Sequence, residues 1–184
     1  MKKGSFYLIS ALLVVAWSCD KEDASMGSDG ISELKSGRKV LTFSATLTGD
    51  QEVAANPVIT EANGQALFQL SKDGEELSFK VIVDGLENIT AAHIHTASAG
   101  ENGPVVVWLH TTSGSPQLIP GLFGGILAQG TSTSANFVGP LAGMAMSDLI
   151  DLMLEGKTYV NVHTSQYPAG EIRGQIRLNG PKNK

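Results

Sequence analysis

The sequence predicts an all-β fold: an antiparallel β-sandwich or flattened Greek-key barrel of about eight strands, with one short helix at about 147–155. Charged residues make up 17% of the chain and glycine occurs 21 times, a composition typical of turn-rich β proteins. Apolar and polar residues alternate through most of the chain after residue 40, with the period of a strand that buries one face. A chain of 184 residues is long enough for one domain with its own core.

The predicted strands follow from this alternation and from the turn residues between them. Asn63-Gly64 and Asp73-Gly74 are hairpin signals, so the first three strands should form an antiparallel meander. Gly85 then ends the third strand, and the pattern loosens into Gly, Ser and Pro after residue 110. The predicted strands are 40–49, 65–71, 77–83, 89–96, 105–110, a possible strand at 125–131, 159–164 and a last one from 171 onward.

One segment has the end signals of a helix. Ser147 suits an N-cap, and Asp148 suits the positive N-terminal end of the helix dipole. Gly156 suits the position just after the C-terminal cap. We therefore predict a helix at about 147–155 that packs its apolar face against the end of the sheets.

The N-terminus is typical of a secretion signal. Lys2 and Lys3 precede about a dozen mostly apolar residues, too few to span a bilayer. The single cysteine, Cys19, follows in the sequence Ala-Trp-Ser-Cys, which resembles the lipobox of bacterial lipoproteins. We expect a lipid on Cys19, which would explain why the chain has a single cysteine. The alternative is an ordinary signal peptide followed by a chance cysteine.

These signals predict three parts: a lipoprotein signal peptide at 1–18, a flexible acidic tether at 19–37 and a folded domain at 38–180. The protein would then lie in the bacterial cell envelope as an outer membrane lipoprotein, periplasmic or surface-exposed, with the membrane as partner of its lipid anchor. A net charge of −5 argues against a nucleic-acid partner. The single cysteine excludes an intrachain disulfide and a cysteine-based zinc site.

Three of the four histidines lie on strand faces opposite the apolar one. His93 and His95 are two residues apart on one strand, and His163 has the same disposition on another. If these strands are neighbours, the imidazoles would converge beneath the Gly-rich segment 97–104. Neutral imidazole is a common ligand of copper and zinc, so we predict a possible copper or zinc site at His93, His95 and His163.

The alternative is that the same histidines belong to a structural hydrogen-bond network. Its other members would be Tyr159, Asn161, Glu171 and Arg173, which share the polar face of the predicted hairpin at 159–175. Glu171 and Arg173 would pair with each other or across strands, as a surface ion pair of small energetic value. No catalytic residue is predicted, because the sequence has no nucleophile elbow, phosphate loop or zinc-protease motif.

Four motifs occur in order along the chain: Phe43 to Val53, Ala91 to His95, Asn102 to Val107 and Tyr159 to Gln175. In this order they resemble the CHRD domain, the module named from chordin and found as a single copy in bacterial secreted proteins. The resemblance implies an extracytoplasmic β domain, and the growth-factor partners of chordin do not carry over to a bacterial lipoprotein. We therefore expect a non-enzymatic binding or structural module for an unknown protein or small ligand. The alternative is a metal-binding protein with redox or hydrolytic activity.

His-x-His on a strand beneath a Gly-rich loop also resembles the copper ligands of copper/zinc superoxide dismutases. The remaining ligands and the disulfide of those enzymes have no counterpart here, so no dismutase activity is expected.

Overall fold

The computed structural model describes residues 40–111 and 117–180. The predicted signal peptide, Cys19 and tether lie outside them. The described chain contains eight strands, one α-helix (α1) and three single-turn 3-10 helices. In chain order these are β1 Thr42–Thr48, Gly49–Gln51 (3-10), β2 Asn63–Leu70, β3 Glu76–Thr96, β4 Val105–His110, β5 Ile119–Thr133, Ser134–Asn136 (3-10), Gly139–Leu141 (3-10), α1 Met146–Leu154, β6 Thr158–Thr164, β7 Ile172–Gln175 and β8 Arg177–Leu178.

The strands form a single antiparallel sheet that closes on itself, which confirms the all-β prediction. The pairing order β2-β1-β7-β6-β3 returns to β2 through a direct β2–β3 pairing, so five strands make a closed barrel. β4 and β5 pair with β3 outside this ring, and β8 pairs with β1. Closure removes most of the free sheet edges, and of the two expected forms the barrel is the one observed.

β3 is the longest strand and joins the two halves of the sheet. The sequence predicted two strands separated at Gly85, and that separation is wrong: residues 76–96 form one continuous strand. Gly85 and Asn88 have positive φ values of 74° and 55°, and the register with β5 shifts on both sides of Leu86. The turn signal therefore marks irregularities within a strand, which bend it without ending it.

The apolar core fills the barrel and continues beneath α1. Fully buried side chains from β1, β3, β6 and β7 meet there, among them Phe43, Leu77, Ile94, Val160 and Ile172. The buried face of α1 consists of Met146, Leu149, Ile150 and Met153, the spacing of one helix face. No helix among the described residues is both long and apolar enough to cross a membrane.

The helix begins one residue earlier than predicted. Its N-cap is Ala145 rather than Ser147, and the side chain of Asp148 accepts a hydrogen bond of 2.8 Å from the Ala145 backbone N–H. This contact satisfies an N-terminal donor in the way that the N3 residue of a capping box does. The C-terminal end is as predicted, because Gly156 has a φ of +67° and its N–H donates to the carbonyl of Met153.

Close packing between β7 and β1 depends on Gly174. A Cβ atom placed there would lie 2.1 Å from the Thr46 carbonyl oxygen, a backbone atom that cannot move aside. We predict that Gly174→Ala lowers the free energy of unfolding by about 3 kcal/mol in urea denaturation. Gly180→Ala is the control, since a Cβ at Gly180 meets no atom within 4 Å. Equal stability of the two variants would contradict this account of the β1–β7 contact.

Candidate metal centre

The pairing of β3 with β6 places the predicted site residues on one outer face of the barrel. His93 lies opposite Asn161, His95 opposite Tyr159 and Ala91 opposite His163. Directly opposed residues of an antiparallel pair project to the same side. The intervening Ile94 and its neighbours on β6 belong to the core on the other side. The histidine strands are thus neighbours, as the sequence analysis required for a shared site.

The structure brings the three predicted histidines together. One ring nitrogen from each of His93, His95 and His163 lies within 4.8 Å of the other two. Nδ1 of His93 is 3.0 Å from Nε2 of His163. His93 and His95 are buried, and His163 is half-buried at the margin of the cluster. The fourth histidine, His110, is not part of this group, although its charge acts on His93, and its Nε2 contacts the carbonyl oxygen of Gln117.

Backbone carbonyls determine which nitrogens carry protons. Nδ1 of His95 is 2.9 Å from the Gly103 carbonyl oxygen, and Nδ1 of His163 is 2.9 Å from the Pro168 carbonyl oxygen. A carbonyl oxygen only accepts, so each of these Nδ1 atoms carries the hydrogen. In the neutral ring, Nε2 then has the free lone pair. Metal-binding histidines are oriented by this same kind of second hydrogen bond.

The lone pair of His163 has a partner, whereas those of the other two histidines do not. Nε2 of His163 accepts from Nδ1–H of His93, which leaves Nε2 of His93 as a second lone pair. Nε2 of His93 and Nε2 of His95 are both buried without a hydrogen-bond partner among the described residues. A buried acceptor without a donor costs about 1–3 kcal/mol. The cluster thus contains two uncompensated nitrogen lone pairs.

All three imidazoles are held in the neutral form that a metal requires. Burial lowers the pKa of His93 to about 3, with further lowering by the charges of the neighbouring histidines. Burial also lowers the pKa values of His95 and His163, although each donates to a backbone carbonyl that acts in the opposite direction. No proton has to be displaced from a charged imidazolium before a cation binds at neutral pH.

A loop covers this polar face, and hydrogen bonds to polar side chains of the face hold the loop in place. The loop comprises residues 97–104 and is called the 97–104 loop below. The Gly103 N–H donates to the Tyr159 hydroxyl oxygen, and the Gln175 side chain donates to the Ala97 carbonyl. A Cβ at Gly103 would lie 1.8 Å from the Thr96 carbonyl oxygen, so the close approach of the loop to β3 requires glycine there.

Arg173 makes the largest set of contacts to the loop. Its guanidinium donates to the Asn102 side-chain oxygen at 3.0 Å and to the Glu101 carbonyl at 2.7 Å. Its central carbon lies 3.4 Å from the centroid of the Tyr159 ring, a cation–π contact. The Tyr159 ring also stacks on His95, with centroids 4.8 Å apart. A stack of guanidinium, phenol and imidazole therefore connects the loop to the histidine cluster.

The expected surface ion pair between Glu171 and Arg173 does not form. Arg173 is 2% exposed and Glu171 is 6% exposed, so neither is a surface charge. The Glu171 carboxylate accepts instead from the hydroxyls of Thr60 and Thr164, each at 2.7 Å. These bonds connect the 58–62 segment to the β6–β7 hairpin. Arg173 bonds to the 97–104 loop instead. Asn161, the remaining member of the predicted network, donates to the Ala169 carbonyl.

Two residues beside the site, Trp108 and Glu52, were not predicted from the sequence. Trp108 packs edge-on against His93 with ring centroids 4.2 Å apart, and the β3–β4 register places it opposite that histidine. Glu52 lies in the segment after β1, and its Oε1 is buried without a hydrogen-bond partner among the described residues. Burial raises the pKa of Glu52 to about 7, although the positive charge of Arg173 acts to lower it.

The donor set fits a copper or zinc ion. Copper and zinc bind imidazole nitrogen, zinc at about 2.0–2.1 Å, so two nitrogens on one ion lie at most about 4.2 Å apart. The largest separation in the cluster is 4.8 Å, which a small rotation of one ring would close. Three histidines would leave a further coordination position open. His93 would ligate through one nitrogen and His95 through Nε2. His163 would ligate through Nε2 once the hydrogen bond that it accepts from Nδ1–H of His93 has opened.

Glu52 should give the stability of the domain a characteristic pH dependence. Its pKa is higher in the folded protein, about 7, than the ordinary value of 4.5. A group whose pKa is raised by folding makes its full contribution to stability below its unfolded-state pKa. That contribution is lost as the pH rises through its folded-state pKa. The stability of the wild type relative to Glu52→Gln should therefore fall between pH 4.5 and 7, by on the order of 2 kcal/mol.

Urea denaturation across this pH range measures the difference. Glu61→Gln, at an exposed carboxylate of the following segment, is the matched control. Parallel pH curves for the wild type and Glu52→Gln would contradict the prediction.

Comparison with known protein families assigns the chain to one of them. The model of the CHRD domain matches residues 43–176, which include the three histidines, Glu52 and Arg173. No curated protein sequence matches the chain. The matched range extends from β1 to the residue after β7 and covers well over half of the sequence, so the chain belongs to the CHRD domain family.

Proposed function

We propose that this CHRD domain is a binding module of the cell envelope that holds one copper or zinc ion at His93, His95 and His163. The observation that carries the proposal is the pair of buried Nε2 lone pairs without donors in a cluster of neutral imidazoles. A cation among the three rings would take one nitrogen of each histidine, since one ring nitrogen from each lies within 4.8 Å of the others. The proposal extends to binding and includes no catalytic step.

The orientation of the rings supports a site that is formed before the ion arrives. Two of the three imidazoles are fixed through Nδ1–H to backbone carbonyls, one in the 97–104 loop and one in the β6–β7 turn. Each of these bonds fixes a tautomer and directs Nε2 away from the carbonyl. Little ordering of side chains is then needed on binding, which favours affinity.

The second candidate is a structural network without a ligand. The hydrogen bond between Nδ1 of His93 and Nε2 of His163, at 3.0 Å, favours it. In this case the cluster would serve to tie β3 to the β6–β7 turn. The network leaves two buried acceptors unpaired, which is the reason that we place metal binding first.

Metal loading of the wild type and of a His93→Ala/His95→Ala variant tests the proposal. We expect the wild type to retain one Cu or Zn ion per chain after dialysis, and the variant to bind roughly 100-fold more weakly or worse. Added metal should raise the melting temperature of the wild type by mass action and leave that of the variant unchanged. Elemental analysis and thermal denaturation provide the two measurements.

His110→Ala is the matched control, because His110 is a histidine of the same sheet outside the cluster. It should bind metal like the wild type. A wild type that retains no metal, together with a large loss of stability in the double variant, would reject metal binding and support the structural network.

We also propose that a lipid on Cys19 anchors the domain to the outer membrane. The lipobox-like sequence that ends at Cys19 supports it, as do the two lysines and the apolar run that precede it. Cys19→Ser should move the protein from the membrane fraction to the soluble fraction of the envelope, since a single side chain supplies the attachment. Membrane association that persists in Cys19→Ser, measured by fractionation and immunoblotting, would contradict the anchor.

A further inference from the structure

We propose that the histidine cluster selects monovalent copper, Cu(I), over Zn(II). This inference rests on the proposed metal site and concerns which ion that site takes. The charge of the surroundings is the deciding feature, because three neutral imidazoles accept either ion.

The cluster itself supplies no negative charge. Its three donor groups are imidazoles, and no carboxylate or thiolate of the described residues belongs to the group. Of the two carboxylates that are at least partly buried on this face, Glu171 accepts from threonine hydroxyls through both oxygens, and burial raises the pKa of Glu52, which favours its neutral form. An ion bound at the cluster would therefore keep its full charge. Sites for Zn(II) with negative ligands avoid this by neutralising part of the charge.

A buried positive charge lies close to the cluster. The Arg173 guanidinium rests 3.4 Å from the Tyr159 ring centroid, and that ring is stacked on His95 with an interplanar angle of 10°. The Tyr159 ring thus separates the guanidinium from the His95 imidazole. Repulsion between Arg173 and a bound ion is proportional to the charge of the ion, so it is twice as large for Zn(II) as for Cu(I).

Burial of the site also favours the monovalent ion, and this effect depends more strongly on the charge of the ion than the repulsion by Arg173 does. His93 and His95 are 6% and 8% exposed, and Trp108 packs against His93 on the side of β4. The cost of transferring an ion from water into a poorly polarisable site rises with the square of its charge. A divalent ion without anionic ligands therefore pays far more than a monovalent one. Cu(I) also accepts two or three nitrogen ligands, which matches the donors present.

Competition titrations on the purified, metal-free protein test the inference. Cu(I), kept reduced with ascorbate under nitrogen, is titrated against a Cu(I)-specific chromogenic chelator, and Zn(II) against a zinc dye. We expect one Cu(I) per chain, bound roughly 100-fold or more tightly than Zn(II). Zn(II) bound as tightly as Cu(I), or more tightly, would overturn the inference and leave the proposed metal site intact. If neither ion binds, the proposed function fails as well.

Asn161→Asp tests the charge argument directly. Asn161 lies opposite His93 on β6, and aspartate has nearly the same shape but adds an ionisable carboxylate beside Glu52 in place of the amide that donates to the Ala169 carbonyl. The added charge should favour the divalent ion and narrow the ratio of Cu(I) to Zn(II) affinity by roughly 10-fold or more. An unchanged ratio in a variant with wild-type circular dichroism would overturn the inference. If this variant does not fold, the titrations of the wild type still test whether the site prefers Cu(I) to Zn(II).

Discussion

The site depends on the hydrogen bonds that the buried guanidinium of Arg173 donates. A buried charge requires partners, and Arg173 finds them in the Asn102 side chain and the Glu101 carbonyl of the 97–104 loop. These bonds hold the loop over the outer face of β3, β6 and β7. The loop in turn supplies the Gly103 carbonyl that fixes His95. One buried charge thus determines where the loop lies, and the loop determines the tautomer of a histidine.

This arrangement explains why the outer face of a barrel is buried at all. The face opposite the core of a single sheet is ordinarily solvated and polar. Here the covering loop and the β6–β7 turn exclude water from it, so its polar groups need partners within the protein. Most of them have one: Glu171 is paired with two threonines, and Gln175 reaches the carbonyls of Ala97 and Gly156. The exceptions lie at the histidine cluster and its margin.

The sequence predicted which face of each histidine-bearing strand lies opposite the core. It did not predict contacts between residues that are far apart in the chain. Alternation placed His93, His95 and His163 opposite the core, and a continuous apolar run predicted β4 with its observed bounds. It did not predict that β3 continues through Gly85, because a glycine of positive φ reads equally as a turn or as a bulge. Nor did it predict β5 over its full length, since Gly-rich strands lack clear alternation. Glu52 had no local signal, because the groups around it, Arg173 and Gly170 among them, are far away in sequence.

The structural and metal-binding accounts of the cluster share most of their contacts and differ in what remains unpaired. The bonds from His95 and His163 to backbone carbonyls serve either account. A purely structural network, however, gains nothing from two buried acceptors that lack donors, and each lowers stability by about 1–3 kcal/mol. Local violations of this kind are expected where function requires them. The unpaired nitrogens of His93 and His95 therefore favour a ligand, and the neutral, positively biased surroundings favour one of low charge.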